Sequence, residues 1–198
     1  MTNDFRMSYF MPPIAPIKNE QGRIVTPATL VPSCEVSVEQ VFQMITCNEN
    51  LKILTEQVRN SGDIRTAKAS LLPYVTPCGT FSTSKQVKCF VASSHLVVVD
   101  IDHLDSYQEA VEMRSTLFND HLLRPVLTFI SPSGQGVKAF VPYDHLPMAN
   151  DTNSIIENNE TGNDVHRAAL WYRGTRSLRR KTQRGRLFRQ GHCKVLLS

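Results

Sequence analysis

The sequence predicts an α+β fold, in which an antiparallel sheet carries helices on one face and follows an N-terminal helical subregion. Two observations support this. The hydrophobic periodicity is helical between Ser37 and Leu72 and becomes strand-like beyond Thr76. Over residues 95–141 the predicted order is strand, helix, strand, hairpin turn, strand, which is typical of a split β-α-β unit. Such an order favours a sheet with helices packed against it.

Composition and charge limit what the chain can be. It has 198 residues, of which 41% are hydrophobic and 20% charged, enough for one globular domain and a remainder. No stretch approaches about 18 consecutive apolar residues, and the N-terminus lacks an apolar run followed by a small-residue cleavage site. We therefore expect no membrane partner and a cytoplasmic location.

The net charge of +4 belongs to one end of the chain. Residues 173–198 contain nine Lys or Arg and no acidic residue, so residues 1–172 carry a net charge of −5. The whole-chain charge therefore gives no reason to expect a cationic surface on the folded part.

The N-terminal third predicts an arm and three helices. Residues 1–36 are expected to form an extended arm, because they combine a short strand-like segment with several prolines. Ser37 and Gln40 form a capping box at the start of a helix. A second helix is predicted from about residue 48 to 60, and a third over 64–72, where Pro73 ends it.

The rest of the predicted domain, which spans 37–146, is mainly strands. A turn and strand are predicted over 76–81, and a buried, β-branched strand over 95–101. A helix capped by Ser106 should reach about Phe118. The final elements are a strand over 125–130, a turn over 131–136 and a strand over 137–141.

Two aspartates end the buried strand. Asp100 and Asp102 are two residues apart, so their side chains should face the same side, with about 6.5–7 Å between the Cα atoms. Carboxylate oxygens on a rigid strand suit Mg²⁺ or Mn²⁺. The alternative interpretation is that both aspartates end the strand and accept hydrogen bonds from the following turn.

The glycine-containing turn that begins at Ser131 predicts a phosphate cradle. Glycines let backbone N–H groups approach an anion, and a lysine follows them. The turn is not a P-loop, because Gly-Lys-Ser/Thr is absent and a strand follows. The predicted nucleotide-binding residues are Ser131, Ser133, Gly134, Gly136 and Lys138. The alternative is a plain hairpin turn with an exposed lysine, but the turn together with the aspartates is typical of a nucleotidyl-transfer site.

The sequence resembles a known family over about residues 7–145. The matching segments are Thr76–Ser82, Val97–Asp102 and Ser131–Val141. The family is the archaeo-eukaryotic primase-like domain at the N-terminus of virulence-associated protein E-type replication proteins of mobile elements and phages.

This resemblance implies an RNA-recognition-motif-like catalytic core. Asp100 and Asp102 would be the catalytic, metal-binding pair, and Ser133 and Lys138 would stand where primases carry Ser-x-His. Lys138 departs from that pattern, which puts catalysis in doubt more than nucleotide binding. The implied partners are a nucleoside triphosphate, a single-stranded DNA template and a P-loop helicase domain, either fused or separate. Two functions remain open: a primase-like nucleotidyltransferase, or a catalytically inert module that binds nucleotide or nucleic acid.

The third acidic motif that primases need cannot be read in residues 173–198. Residues 147–172 predict a polar loop and the start of a helix, and 173–198 a basic tail. Back-translated and read one base later, Arg189–Val195 can give Gly-Lys-Asp-Ile-Ala-Arg-Cys, a segment found in related domains. We therefore favour a frameshift near Trp171–Gly174 and a truncated domain. The alternative is a genuine tail that binds nucleic-acid phosphates.

Overall fold

Eleven strands and four α-helices make up residues 4–143 and 195–196, the part of the chain that the computed structural model describes. The strands are β1 (Arg6–Phe10), β2 (Ile17–Lys18), β3 (Ile24–Thr26), β4 (Cys34–Ser37), β5 (Tyr74–Thr76), β6 (Gly79–Phe81), β7 (Phe90–Ser93), β8 (Leu96–Asp102), β9 (Leu127–Ile130), β10 (Gly136–Pro142) and β11 (Val195–Leu196). The helices are α1 (Val38–Cys47), α2 (Glu49–Arg59), α3 (Ile64–Leu71) and α4 (Tyr107–Phe118).

Each helix begins at a polar side chain that accepts a backbone hydrogen bond. The capping box at α1 is confirmed: Ser37 Oγ accepts from Gln40 N at 3.2 Å, and Gln40 Oε1 accepts from Ser37 N at 2.9 Å. Asn48, Asp63 and Ser106 cap α2, α3 and α4 in the same way. These caps satisfy backbone donors that the first helical turn leaves unpaired.

A four-stranded antiparallel sheet has the order β11-β5-β1-β4. The N-terminal segment, predicted as an extended arm over residues 1–36, supplies the inner strand β1 and all but the last residue of the edge strand β4. The prolines lie between strands, where the short hairpin of β2 and β3 also forms. A backbone bond from Ile14 N to Ala69 O, 2.8 Å long, ties this segment to α3.

The second main sheet has the order β8-β10-β9. β10 is antiparallel to both neighbours, so β8 and β9 run parallel to each other with α4 as the crossover between them. This is the split β-α-β arrangement that the order of elements predicts.

Both faces of this sheet are covered. One face carries Val99, Ile101, Val137 and Ala139, which pack with Ala110 and other residues of α4 in one apolar cluster. The other face belongs to a second cluster that reaches the four-stranded sheet and helices α1 and α2. Its members are Met7, Val36, Val41, Leu51, Val75, Leu96, Leu127, Phe129 and Phe140. The sequence analysis expected helices on one face; the apolar Leu96 and Phe140 explain why the second face is also buried.

The α+β class, with antiparallel sheets and four helices, is confirmed for the described residues. The predicted polar loop over 147–172 and all of the basic tail except β11 lie outside those residues. None of the four helices is long and apolar enough to span a membrane.

Candidate functional site

The register of β8 and β10 places the two aspartates next to the glycine-containing turn. Asp100 lies opposite Lys138, and Asp102 lies opposite Gly136, where β10 begins. Lys138 in turn pairs with Phe129 of β9. Both aspartates therefore lie on the face that Leu96 and Phe140 help to bury, at the end where that face becomes polar.

An ion pair joins the first aspartate to the neighbouring strand. Lys138 Nζ lies 2.6 Å from Asp100 Oδ1. The side chain of Lys138 is only 12% exposed, whereas that of Asp100 is 42% exposed. The ammonium therefore depends on this carboxylate more than the carboxylate depends on the ammonium, because water can reach Asp100.

This asymmetry predicts unequal effects on stability. Asp100→Asn leaves a largely buried ammonium without a counter-charge and should lower the free energy of unfolding by about 2 kcal/mol. Lys138→Met keeps the side-chain volume and leaves a hydrated carboxylate, so the cost should stay below about 1 kcal/mol. Urea denaturation of both variants measures the difference. Equal losses in the two variants would contradict the burial argument.

The turn over 131–136 is held by its own backbone. Ser131 N donates to Gly136 O and Gly134 N donates to Ser131 O, each at 2.8 Å. Gly134 has φ +78°, a conformation that favours glycine. Ser131 Oγ and Ser133 Oγ lie 3.0 Å apart. The two hydroxyls are thus fixed beside the start of β10.

Three oxygen atoms surround the space beside Gly136 that a side chain would fill, and this space is called the cradle below. A Cβ atom at this position would lie 2.7 Å from Ile101 O, 3.0 Å from Asp102 Oδ1 and 3.1 Å from Ser131 Oγ. Only a glycine allows these three oxygens to approach the backbone of residue 136 so closely.

The donor chemistry fits a hard divalent cation that also takes phosphate ligands. Asp102 is exposed and Asp100 keeps one oxygen outside its bond to Lys138. Within the described residues no third His, Cys, Asp or Glu joins them as a ligand group. Mg²⁺ commonly uses one or two carboxylates and completes its shell with water and substrate phosphates.

A second lysine approaches from α3. The pKa of the Lys68 ammonium is lowered, mainly because the group is partly buried. The nearby charges have smaller effects: the Asp102 and Asp100 carboxylates raise this pKa, and the Lys138 ammonium lowers it. Lys68 therefore lies within electrostatic reach of both aspartates and of Lys138. Lys68 is not predicted as a site residue from the sequence, because nothing in the segment Ala67–Ser70 indicates which charged groups α3 approaches.

An arginine and a tyrosine flank the turn. Arg59 Nε, at the end of α2, donates to Pro132 O at 3.1 Å. The Arg59 guanidinium carbon lies 5.6 Å from the centre of the Tyr107 ring, at the start of α4. The Cβ position of Gly134 is 3.4 Å from Tyr107 Cδ2 and 3.8 Å from Arg59 Nε. The turn thus contacts both α2 and α4.

The structure brings together every site residue that the sequence predicted. The aspartates, Lys138 and the turn lie at one end of the three-stranded sheet, where β8 ends and β10 begins. A family model described as "BT4734-like, N-terminal domain" matches residues 66–183, more than half of the chain. The chain belongs to the BT4734-like family. Neither the curated proteins nor the solved structures contain a match to it.

The matched BT4734-like domain contains most of the site. It begins within α3, so it includes Lys68, both aspartates, Tyr107 and the turn. Arg59 precedes the matched residues and comes from the helical subregion.

Proposed function

We propose that this BT4734-like domain binds a nucleoside triphosphate with Mg²⁺ or Mn²⁺ and acts as a primase-like nucleotidyltransferase in the DNA replication of a mobile element or phage. The observation that carries the proposal is the shared end of the three-stranded sheet, where two aspartates, Lys138 and a glycine-containing turn meet. The split β-α-β order supports an RNA-recognition-motif-like core.

Each group at this end of the sheet has a role in the proposed reaction. Asp100 and Asp102 would hold the cation, which would neutralise triphosphate charge and favour ionisation of the attacking 3′-hydroxyl. Lys138 and Lys68 would bind phosphate oxygens, and Ser131 and Ser133 would donate hydrogen bonds to them. In the transfer, the hydroxyl oxygen bonds to the α-phosphorus, pyrophosphate leaves, and the hydroxyl proton passes to solvent.

The proposed partners follow from the resemblance to the primase-like family. The incoming nucleotide would pair with a single-stranded DNA template, and a P-loop helicase, fused or separate, would supply that strand. A cytoplasmic location accords with such a role.

A second candidate is a module that binds nucleotide without transferring it. The ion pair between Lys138 and Asp100 favours this candidate, because an ammonium already occupies one of the carboxylate oxygens that a cation would use. Nucleotide binding needs the turn and the lysines, whereas transfer also needs both carboxylates.

Two measurements test these functions on the full chain. Nucleoside triphosphate affinity is measured by calorimetry with and without Mg²⁺ or Mn²⁺, and primer synthesis on single-stranded DNA with labelled nucleotides. Synthesis that needs the cation supports the transferase. Cation-dependent nucleotide binding without primer synthesis supports the inert module. If the chain neither binds nucleotide nor synthesises primers, both candidate functions are contradicted.

Lys68 offers a test that separates function from stability. Lys68→Met removes a partly buried charge and keeps most of the side-chain volume, so the free energy of unfolding should change by less than about 1 kcal/mol. Nucleoside triphosphate affinity should fall about tenfold, because a charge-assisted phosphate contact is lost. The exposed Lys52→Met is the matched control and should leave affinity unchanged. Unchanged affinity in Lys68→Met would remove Lys68 from the site.

A further inference from the structure

Resting on the proposed function, we infer that Arg59 of the helical subregion binds the polyphosphate of the nucleotide, with Tyr107 holding its guanidinium group in place. No property of the sequence around Arg59 predicts this role. The turn that it contacts is the same turn that approaches Asp102 through Gly136.

The Arg59 guanidinium group is fixed at Nε, and its terminal nitrogens make no hydrogen bond or ion pair with the described residues. Its hydrogen bond to Pro132 O uses Nε. Among the described residues, no carboxylate forms an ion pair with it. A guanidinium group carries four further N–H donors on its terminal nitrogens, in a planar geometry that matches two phosphate oxygens.

Tyr107 limits the positions that the guanidinium group can take. Its ring lies 5.6 Å from the guanidinium carbon and is 55% exposed. Cation–π attraction keeps an arginine against such a ring without consuming its N–H donors. The arginine is therefore held before any ligand arrives, which reduces the entropy lost on binding.

The charges around the site suit a polyanion. Three cations, Arg59, Lys68 and Lys138, accompany two carboxylates, Asp100 and Asp102. A triphosphate with one divalent cation still carries net negative charge, so an arginine beside the turn that has no carboxylate partner in residues 4–143 favours its binding.

The purely structural alternative is that Arg59 only fastens α2 to the turn. Under that alternative its contribution depends on the Nε bond to Pro132, and a lysine could not replace it. If Arg59 binds phosphate, a lysine keeps the charge and preserves part of the affinity.

The experiment uses the full chain with ATP plus Mg²⁺ and with inorganic tripolyphosphate as probes. Calorimetry compares the wild type with Arg59→Gln, Arg59→Lys and the control Arg65→Gln, which removes an exposed arginine of α3. We expect Arg59→Gln to weaken both ligands about tenfold. We expect Arg59→Lys to recover part of that loss, Arg65→Gln to match the wild type, and the melting temperatures to remain similar.

The outcomes separate this inference from the proposed function. The role of Arg59 is overturned if Arg59→Gln binds both ligands with wild-type affinity, or if Arg59→Gln and Arg59→Lys lose the same affinity. Neither result contradicts the proposed nucleotide site. Arg59-dependent binding of tripolyphosphate without ATP binding keeps the role of Arg59 in anion binding and overturns the proposed function. Failure of the wild type to bind either probe overturns both.

Discussion

Under the proposed transferase function, Asp102→Asn is expected to reduce primer synthesis by about 10³-fold, because a neutral amide would not hold the cation that would offset the charge on the leaving pyrophosphate. Asp102 is exposed and makes no ion pair among the described residues, so the substitution should leave stability nearly unchanged. The assay is incorporation of labelled nucleotide on a single-stranded template in the presence of Mn²⁺.

The control for this prediction is Asp105→Asn, which removes an exposed carboxylate three residues further along the chain. It should retain wild-type synthesis. If Asp102→Asn also retains full synthesis, the carboxylate pair is not the reaction centre. If the wild type binds nucleotide but synthesises nothing, the inert module is the better description of this domain.

Gly136→Ala is expected to lower the free energy of unfolding by about 2 kcal/mol and to abolish nucleotide binding. The new methyl group would lie 2.7 Å from the backbone oxygen of Ile101, which cannot move without disturbing β8. The same methyl group would fill the space between Asp102 and Ser131. Urea denaturation and calorimetry with ATP plus Mg²⁺ measure the two effects.

Gly62→Ala is the matched control for this substitution. Its Cβ position has no heavy atom within 4 Å, so stability should change by less than about 1 kcal/mol, and binding should be unaffected. A Gly136→Ala variant as stable as Gly62→Ala would show that the strands adjust freely. Normal nucleotide affinity in such a variant would place the ligand away from the cradle.

Helix caps and strand periodicity could be predicted from the sequence because they depend on interactions between residues close together in the chain. Ser37 and Gln40 lie three residues apart, and a capping box needs no information from elsewhere in the chain. The shared side of Asp100 and Asp102 was predicted from the two-residue periodicity of a strand. Their register against β10 was not predicted, because the turn over 131–136 joins β9 to β10 and does not set the pairing of β8 with β10.

The remaining parts depend on contacts between elements distant in sequence. Lys68 of α3 lies within electrostatic reach of the aspartates, and periodicity within α3 carries no information about which charged groups of the sheet it approaches. The same limitation applies to Arg59, whose acceptor, Pro132, is 73 residues away. The inner position of β1 likewise requires β4 and β5 on either side, which a proline-containing segment does not predict.

Lys138 already neutralises the Asp100 carboxylate before any ligand binds at this end of the sheet. A bare cation arriving from solution must compete with a resident ammonium for Asp100, whereas a cation arriving on a triphosphate brings a new anion for that ammonium to contact. The two ligands should therefore enter cooperatively, and free Mg²⁺ at cellular concentration should leave this end of the sheet largely vacant until nucleotide is present.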